Sequence, residues 1–229
     1  MAGQVRVCVL AEGQTEETFL KRLLVPPLAE KGIYLHPMLM KTSANSKGGD
    51  VTFDRLKQNA RNLLRQDKNA FLTTFIDLYA LRNDFPDYAA AMRKTVLADR
   101  LATLESAMHR ELVVIGGEDC RPERVIPHIQ PHEFEGLLFS DVAALAKTEG
   151  NWGKSLAALR HAREGFATPE EINGGPTTHP SARLNDLAPR YRKTIHGPRA
   201  AERIGLDAMT RECPHFRAWY EKILALVPL

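Results

Sequence analysis

Short apolar runs alternate with segments of helical periodicity over the first 140 residues. Strands are predicted where the runs are mostly apolar or β-branched, at residues 5–10, 33–40, 70–78 and 124–129, with a short one at 113–115. Helices are predicted where apolar residues recur three or four apart, after Thr15, at residues 54–66, from Pro86 to about residue 109, and at 133–139. This alternation predicts an α/β fold with a mostly parallel sheet flanked by helices.

Polar and glycine-rich segments interrupt this pattern. Thr15 is expected to cap the first helix, and Pro26-Pro27 to end or kink it. Residues 41–50 are predicted to form a flexible loop because they contain serine, asparagine and two glycines. From residue 142 onwards the pattern is helical. We therefore expect an α/β core at residues 1–141 and a helical appendage at residues 142–229, packed together as one compact unit.

The composition is that of a globular protein, with an uneven distribution of charge. Of the 229 residues, 44% are hydrophobic and 26% are charged, which supplies enough apolar surface for a core. The net charge is only +3, but residues 151–229 carry 12 Lys and Arg against 8 Asp and Glu, whereas residues 1–150 carry 19 against 20. A nucleic-acid enzyme needs both acids for metal and a basic surplus for phosphate, although solvated surface also produces such an imbalance.

The three cysteines are far apart in the sequence and include no C-x-x-C pair. A structural zinc site and a disulfide framework are therefore not expected, and a reducing compartment fits. The N-terminus leads directly into a predicted strand without the pattern of a signal peptide, and no apolar run is long enough to span a bilayer. These features predict a cytoplasmic protein.

Acidic side chains follow three of the predicted strands. Glu12 and Asp77 come at the ends of the first and third strands, and Glu133 follows the last. The carboxyl ends of parallel strands meet at one edge of a sheet, so these acids are expected to converge. Glu16 lies close to Glu12, and clustered carboxylates repel one another unless a cation such as Mg²⁺ lies between them. The alternatives are a solvated Glu12, a Glu16 that only favours the helix dipole, and an Asp77 that caps a turn.

The segment after the last predicted strand holds further candidate residues. His132, Glu133 and Glu135 lie at the start of an apolar helix. Because positions two apart point to different sides of a helix, one glutamate is expected to face the site and the other to pack or cap. His132 could orient a carboxylate or contact a phosphate; the alternative is a hydrogen-bonded structural histidine.

The densest basic stretch lies at residues 181–203. Its cationic and imidazole side chains make it the best candidate for contact with phosphates: Arg183, Arg190, Arg192, Lys193, His196, Arg199 and Arg203. A solvated helical face is the alternative. Motifs of other chemistries are absent from the sequence, including the Walker A sequence, G-x-G-x-x-G, H-E-x-x-H and the nucleophile elbow of serine hydrolases.

Several of these segments resemble known families. A hydrophobic strand followed by Glu12-Gly13-x-x-Glu16, and a later strand ending in Asp77, resembles the Toprim pattern of topoisomerases, primases and overcoming-lysogenization-defect (OLD) nucleases. More closely, the chain resembles a bacterial Toprim-like family of unknown function, DUF4276. The motifs that carry this resemblance lie at residues 11–16, 76–79, 124–130, 132–135, 169–173, 191–193, 196–197, 204–206 and 213–216.

The resemblance implies roles for individual acids. Glu12 matches the Toprim glutamate that serves as metal ligand or general acid/base, and Glu16 matches the second glutamate of that motif. Asp77 matches the first acid of the Asp-x-Asp motif, whereas Tyr79 stands in place of the second acid. This departure weakens the case for a two-metal site, and Asp84 or a glutamate of the 133/135 pair could supply the missing ligand.

The resemblance also implies more distant components of the site. In OLD-like nucleases a further acid and a distal lysine complete the site, and Glu133 and Lys193 are the candidates here. The core at residues 1–141 would then be Toprim-like. Related proteins often work beside an ATPase of the SMC or ABC type in phage-defence systems, so a partner ATPase is implied.

Together these observations predict a Toprim-like nuclease subunit that hydrolyses phosphodiester bonds of DNA or RNA with Mg²⁺ or Mn²⁺. The predicted catalytic residues are Glu12, Asp77 and Lys193. The predicted metal ligands are Glu12, Glu16, Asp77, Glu133 and Glu135, and the predicted nucleic-acid contacts are His132, Arg183, Arg192, Lys193, His196 and Arg199. The alternatives are an inactive adaptor docked on an ATPase and a phosphohydrolase of nucleotides. A homo-oligomer is left open, and no membrane association is expected.

Overall fold

A parallel sheet organises the first half of the chain in the computed structural model, which describes residues 4–40, 51–173 and 177–229. Its strands are β1 Val5–Ala11, β2 Ile33–Leu39, β3 Ala70–Asp77, β4 Val125–Ile126 and β5 Ile129–Gln130. The strand order is β2-β1-β3-β4. Strand β5 pairs with the last residues of β3, after the part of β3 that pairs with β4, and every pairing is parallel. The predicted α/β class is confirmed.

Helices cover the sheet and form most of the chain after residue 141. The α-helices are α1 Gln14–Phe19, α2 Val25–Ala29, α3 Phe53–Gln66, α4 Tyr88–Met92, α5 Leu97–Gly116, α6 Val142–Ala146, α7 Leu156–Glu164, α8 Pro180–Leu187, α9 Lys193–Ile204, α10 Leu206–Glu212 and α11 Pro214–Leu224. A π-helical turn, Leu20–Leu24, joins α1 to α2. Short 3₁₀-helices lie at Leu78–Ala80, Pro122–Arg124, Phe134–Ser140, Trp152–Ser155 and Pro169–Glu171.

Both faces of the sheet are buried. Side chains alternate along β3, so that Phe71 and Phe75 enter one hydrophobic cluster and Leu72 and Ile76 enter the other. The first cluster also contains Phe216 of α11, together with residues of α1 and α9, whereas the second is built with α3 and α5. The C-terminal helices thus pack on one face of the sheet, within the same core as β1 and β3.

The prediction of one long helix from Pro86 to about residue 109 is wrong in its limits. The structure has two helices there, α4 and α5, and the second continues to Gly116. Residues 113–115, predicted as a strand, form the last turn of α5. Their β-branched side chains lower helix propensity only slightly, and the buried, helically spaced Leu104, Met108 and Leu112 hold the helix against the core.

Two other predicted elements also differ. Residues 124–129 form two short strands rather than one, because Pro127 between them has no N–H to give to the ladder. The predicted helix at 133–139 is a 3₁₀-helix. Gly13, not Thr15, is the N-cap residue of α1, and Thr15 is buried within the helix.

The remaining sequence signals have mixed outcomes. Pro26 and Pro27 lie in the first turn of α2, directly after the π-helical turn, and the helical path continues past them to Ala29. The loop predicted at residues 41–50 lies outside the described residues. Within the described ranges, no helix has the length and apolar character needed to cross a membrane.

Candidate active site

The carboxyl ends of β1 and β3 lie side by side and present two acids. Asp77 is the last residue of β3, and Glu12 directly follows β1. The backbone N–H of Asp77 donates a hydrogen bond of 3.1 Å to Glu12 Oε2, and the N–H of Glu12 donates to the carbonyl of Phe75 at 3.3 Å. The parallel pairing of adjacent strands therefore fixes these two residues against each other, at the edge where ligands bind in such sheets.

Lys193, the first residue of α9, lies between three buried carboxylates. Its Nζ is 3.1 Å from Glu16 Oε1, 3.2 Å from Asp77 Oδ2 and 3.3 Å from Glu135 Oε2. The side chains of the three acids are at most 5% exposed, whereas that of the lysine is 36% exposed. We call Lys193, these three acids and the adjoining Glu12 the lysine–carboxylate cluster. It combines an acidic interior with a cation that solvent can reach.

A close approach of helices brings Lys193 to the strand ends. Gly197 lies one turn further along α9, and a Cβ atom at that position would be 3.1 Å from the Phe134 ring and 3.3 Å from Thr15 Cγ2. Because glycine leaves this space free, α9 can pack against α1 and the 3₁₀-helix that contains Glu135. This contact places the first turn of α9 over the carboxyl ends of the strands.

Further hydrogen bonds orient the acids of the cluster. Asp77 Oδ1 accepts from the backbone N–H of Phe134 at 2.8 Å, which leaves Oδ2 for Lys193. The Tyr191 hydroxyl donates to Glu135 Oε1 at 3.3 Å. Glu16 Oε1 and Glu135 Oε2 are buried without a hydrogen bond of normal geometry, so their contacts with Lys193 are ion pairs only. Two carboxylate oxygens therefore keep coordinating capacity.

Burial dominates the electrostatics of the cluster. It raises the pKa of Glu12 to about 7, with the neighbouring carboxylate of Glu16 as a further cause. Burial likewise raises the pKa of Asp77 and of Glu135, although Lys193 opposes both shifts. Burial alone would lower the pKa of Lys193, but the carboxylates of Asp77, Glu135 and Glu16 raise it above the ordinary value. The ammonium is therefore charged at neutral pH, and the carboxylates around it exceed it in number.

We expect Glu12 to make the fold less stable as the pH rises. Its pKa in the folded protein, about 7, lies above the ordinary 4.5, so the folded state holds a proton that the unfolded state releases. This contribution is complete below about pH 4.5 and is lost as the pH rises through about 7, for a total of about 3 kcal/mol. Urea unfolding of Glu12→Gln should show a flatter pH dependence over this range than the wild type.

The exposed Glu30 provides the matched control for this measurement. Glu30→Gln should retain the pH dependence of the wild type, because it changes an exposed side chain outside the lysine–carboxylate cluster. An unchanged slope in Glu12→Gln would contradict the assignment of the titration to Glu12.

Glu133 lies outside the cluster and is held by another set of contacts. Its Oε2 is 3.0 Å from His179 Nδ1 and accepts the backbone N–H of Ser181 at 2.9 Å, while its Oε1 accepts the Ser181 hydroxyl at 2.9 Å. One glutamate of the pair was expected to face the site and the other to pack or cap; the structure brings Glu135 to Lys193 and gives Glu133 a role in fixing the start of α8. This placement makes Glu133 the weaker candidate ligand.

His132 is buried beside Tyr79. Its backbone is in the left-handed region with a φ of 55°, and its ring centroid is 5.3 Å from that of Tyr79. Burial lowers its pKa to about 4, with the charge of Arg100 as a further cause, so the ring is neutral at physiological pH. A neutral, 5% exposed ring is poorly placed to bind a phosphate, and its predicted nucleic-acid contact rests on the sequence alone.

The predicted basic surface divides into engaged and exposed residues. His196 is 7% exposed, and its Nδ1 accepts the backbone N–H of Arg192, which suits a structural role. Arg183 donates to the carbonyl of Thr178 and stacks on a phenylalanine ring, and Arg199 pairs with Glu149 at 2.7 Å. Arg192 is exposed next to Lys193. It is the best placed of these side chains to meet a polyanion.

The sequence interpretation missed a second group of metal-ligating side chains. Glu105, His128 and His215 each place one ligand atom within 4.8 Å of the other two, and among the described residues no other three such side chains do so. The group is compatible with metal binding. The acids around Lys193 are spread more widely, with the ammonium between them. No local sequence pattern predicts this group, because its members lie in three separate segments of the chain.

Comparison with known proteins gives one clear family assignment. A family model described as a domain of unknown function, DUF4276, matches residues 11–224. Among solved structures, the C-terminal region of the OLD protein of Xanthomonas campestris pv. campestris is similar, with 15% identity, a TM-score of 0.43, and coverage of 96% of this chain and 94% of that chain. A search of curated proteins found no match. Because the family model spans nearly the whole sequence, as the sequence motifs predicted, the chain belongs to the DUF4276 family.

Proposed function

We propose that the protein hydrolyses phosphodiester bonds of a nucleic acid, with a divalent cation held at the lysine–carboxylate cluster. The observation that carries this proposal is the convergence of Glu16, Asp77 and Glu135 on one ammonium, with Glu12 adjoining. Acids in excess over cations, at the carboxyl ends of parallel strands, favour binding of a divalent metal. Carboxylate oxygens are the ligands that Mg²⁺ and Mn²⁺ take.

The donor set fits such a cation. Glu12, Glu16, Asp77 and Glu135 would hold it, and the buried oxygens of Glu16 and Glu135 that lack hydrogen bonds are available for coordination. Since the acids now surround Lys193, binding requires the ammonium to move aside or the carboxylates to draw together. When bound, Mg²⁺ would polarise phosphate oxygens and lower the pKa of a coordinated water.

The protein's own residues supply the remaining chemistry. Glu12 is only partly buried and adjoins Asp77 at the end of β1, which places it to accept a proton from the attacking water. Lys193 would neutralise charge that develops on the phosphate in the transition state. Arg192, exposed beside it, would hold the nucleic-acid backbone.

Cleavage assays on plasmid, single-stranded DNA, RNA and free nucleotides, each with Mg²⁺ or Mn²⁺, test this proposal. We expect metal-dependent cleavage of a polymer by the wild type, loss of cleavage in Asp77→Asn, and normal cleavage in Asp186→Asn, which changes an exposed aspartate of α8. Cleavage without added metal, or undiminished in Asp77→Asn, would contradict the proposal. Hydrolysis of nucleotides alone would indicate a phosphohydrolase instead.

A second candidate function, that of an inactive adaptor, is favoured by two observations. Lys193 already supplies a cation to the acids, and position 79 holds a half-exposed tyrosine where the Toprim motif has its second acid. Thermal unfolding separates the two readings, since a ligand that binds only the folded state raises Tm. The nuclease should be stabilised by millimolar Mg²⁺, and less so in Glu12→Gln; an adaptor should show no shift. The predicted partner ATPase would be the adaptor's binding target.

A further inference from the structure

Two histidines and a glutamate meet on the other side of β3 from β1, apart from the lysine–carboxylate cluster. Glu105 belongs to α5, His128 lies between β4 and β5, and His215 is in the first turn of α11. Glu105 Oε1 is 2.9 Å from His215 Nε2 and 3.8 Å from His128 Nδ1. Two imidazoles and one carboxylate thus surround a common point, and none of them has a part in the proposed hydrolysis.

Hydrogen bonding orients the His128 ring as metal-ligating histidines are oriented. Its Nε2 lies 3.4 Å from Gln130 Oε1, and its Nδ1 faces Glu105 Oε1 at 3.8 Å. A ring nitrogen supported by a side-chain amide, with the other nitrogen aimed at the ligand point, is the usual arrangement of a metal-bound histidine.

The three side chains are held firmly by their surroundings. The His128 ring stacks on His215 and Trp219, with centroids 5.0 Å and 4.7 Å away. Thr74 Oγ1 accepts the backbone N–H of His128 at 2.9 Å, and the N–H of Ile129 donates to Glu105 Oε1 at 2.9 Å. Ligands that are fixed before the metal arrives lose little freedom on binding, which favours affinity.

The group also has an open side. A cavity of about 170 Å³ adjoins it, lined by Glu105, His128, His215, Trp219 and Lys222 among others. The side chains of Glu105 and His215 are 16% and 24% exposed, so a cation could enter from solvent. Three protein ligands with space for a water or a small anion is the arrangement of zinc sites that keep an open coordination position.

We propose that Glu105, His128 and His215 form a binding site for a first-row transition cation of the Zn²⁺ class. Imidazole nitrogen selects Zn²⁺, Co²⁺ or Ni²⁺ over Mg²⁺, which prefers oxygen ligands, so this site differs in metal preference from the lysine–carboxylate cluster. The cation would tie α5 and the β4–β5 segment to α11. The proposal does not rest on the proposed hydrolytic function.

Titration with Co²⁺ tests the site, because Co²⁺ bound by nitrogen and oxygen ligands has visible absorption bands that depend on its coordination. We expect one equivalent to bind with such bands, to quench Trp219 fluorescence, and to be displaced by Zn²⁺. His215→Gln should weaken binding at least about 100-fold, since even the loss of a hydrogen-bonding partner of a ligand costs about 10- to 100-fold. Glu105→Gln should act likewise, and provides an independent variant should one of them fail to fold by circular dichroism.

Two controls separate this site from others. His161→Gln, which changes a 91% exposed histidine of α7, should bind Co²⁺ as the wild type does. Asp77→Asn disables the lysine–carboxylate cluster and should leave the bands unchanged. Absence of Co²⁺ binding, wild-type binding by His215→Gln, or bands lost only in Asp77→Asn would each overturn the proposal.

Discussion

Replacement of Lys193 by alanine is expected to lower the turnover number for phosphodiester cleavage by about 100-fold or more, the effect of removing one transition-state donor. The ammonium is the only cation in direct contact with Glu16, Asp77 and Glu135 among the described residues, and in the proposed function it neutralises charge that develops on the phosphate. A lysine that merely contacts the nucleic-acid backbone would affect binding and salt dependence rather than turnover. Steady-state kinetics at saturating substrate, repeated over a range of salt concentrations, distinguish these roles.

Lys154→Ala is the matched control, because Lys154 is an exposed lysine of the same helical region. It should retain normal turnover. Lys193→Ala could instead turn over normally and change only the slope of log binding constant against log salt concentration, by about one unit. Lys193 would then contact the nucleic-acid backbone without a catalytic role, and the hydrolytic proposal would stand.

Replacement of Arg124 by alanine is expected to destabilise the fold by about 3–5 kcal/mol, which is a large share of the stability of a typical domain. Arg124 is only 2% exposed, and its guanidinium donates to the carbonyls of Leu64, Asp67 and Ala70 at 3.3, 2.6 and 3.0 Å. These carbonyls connect the end of α3 to the start of β3. The alanine variant would remove these donated hydrogen bonds and would also leave a cavity.

Urea unfolding measures this effect, with Arg121→Ala as the control. The Arg121 side chain is 45% exposed and pairs only loosely with Glu123, at 3.8 Å, so its removal should change stability by no more than about 0.5 kcal/mol. Because lysine cannot reproduce the several N–H donors of the guanidinium, Arg124→Lys should restore only part of the loss. A loss below about 1 kcal/mol in Arg124→Ala would show that water replaces the missing donors.

The lysine–carboxylate cluster shows how far local sequence predicts a site. Glu12 and Asp77 could be placed at one sheet edge because apolar runs mark strands, and parallel strands align their carboxyl ends. The choice between Glu133 and Glu135 could not be made in the same way. This choice depends on Ser181 and His179, which hold Glu133 although they lie 48 and 46 residues after it in the sequence. It also depends on Tyr191, which contacts Glu135.

The sequence by itself determined the α/β class, the limits of β1, β2, β3 and α3 to within about two residues, and the family, because periodicity and motif spacing are local properties. Only the tertiary structure decided where the helices after residue 141 meet the sheet. Lys193 reaches Asp77 across 116 residues because Gly197 lets α9 approach α1 closely. Glu105 meets His215 across 110 residues because α5 and α11 both reach the segment between β4 and β5. Such contacts depend on the packing of distant surfaces, which no short stretch of sequence encodes.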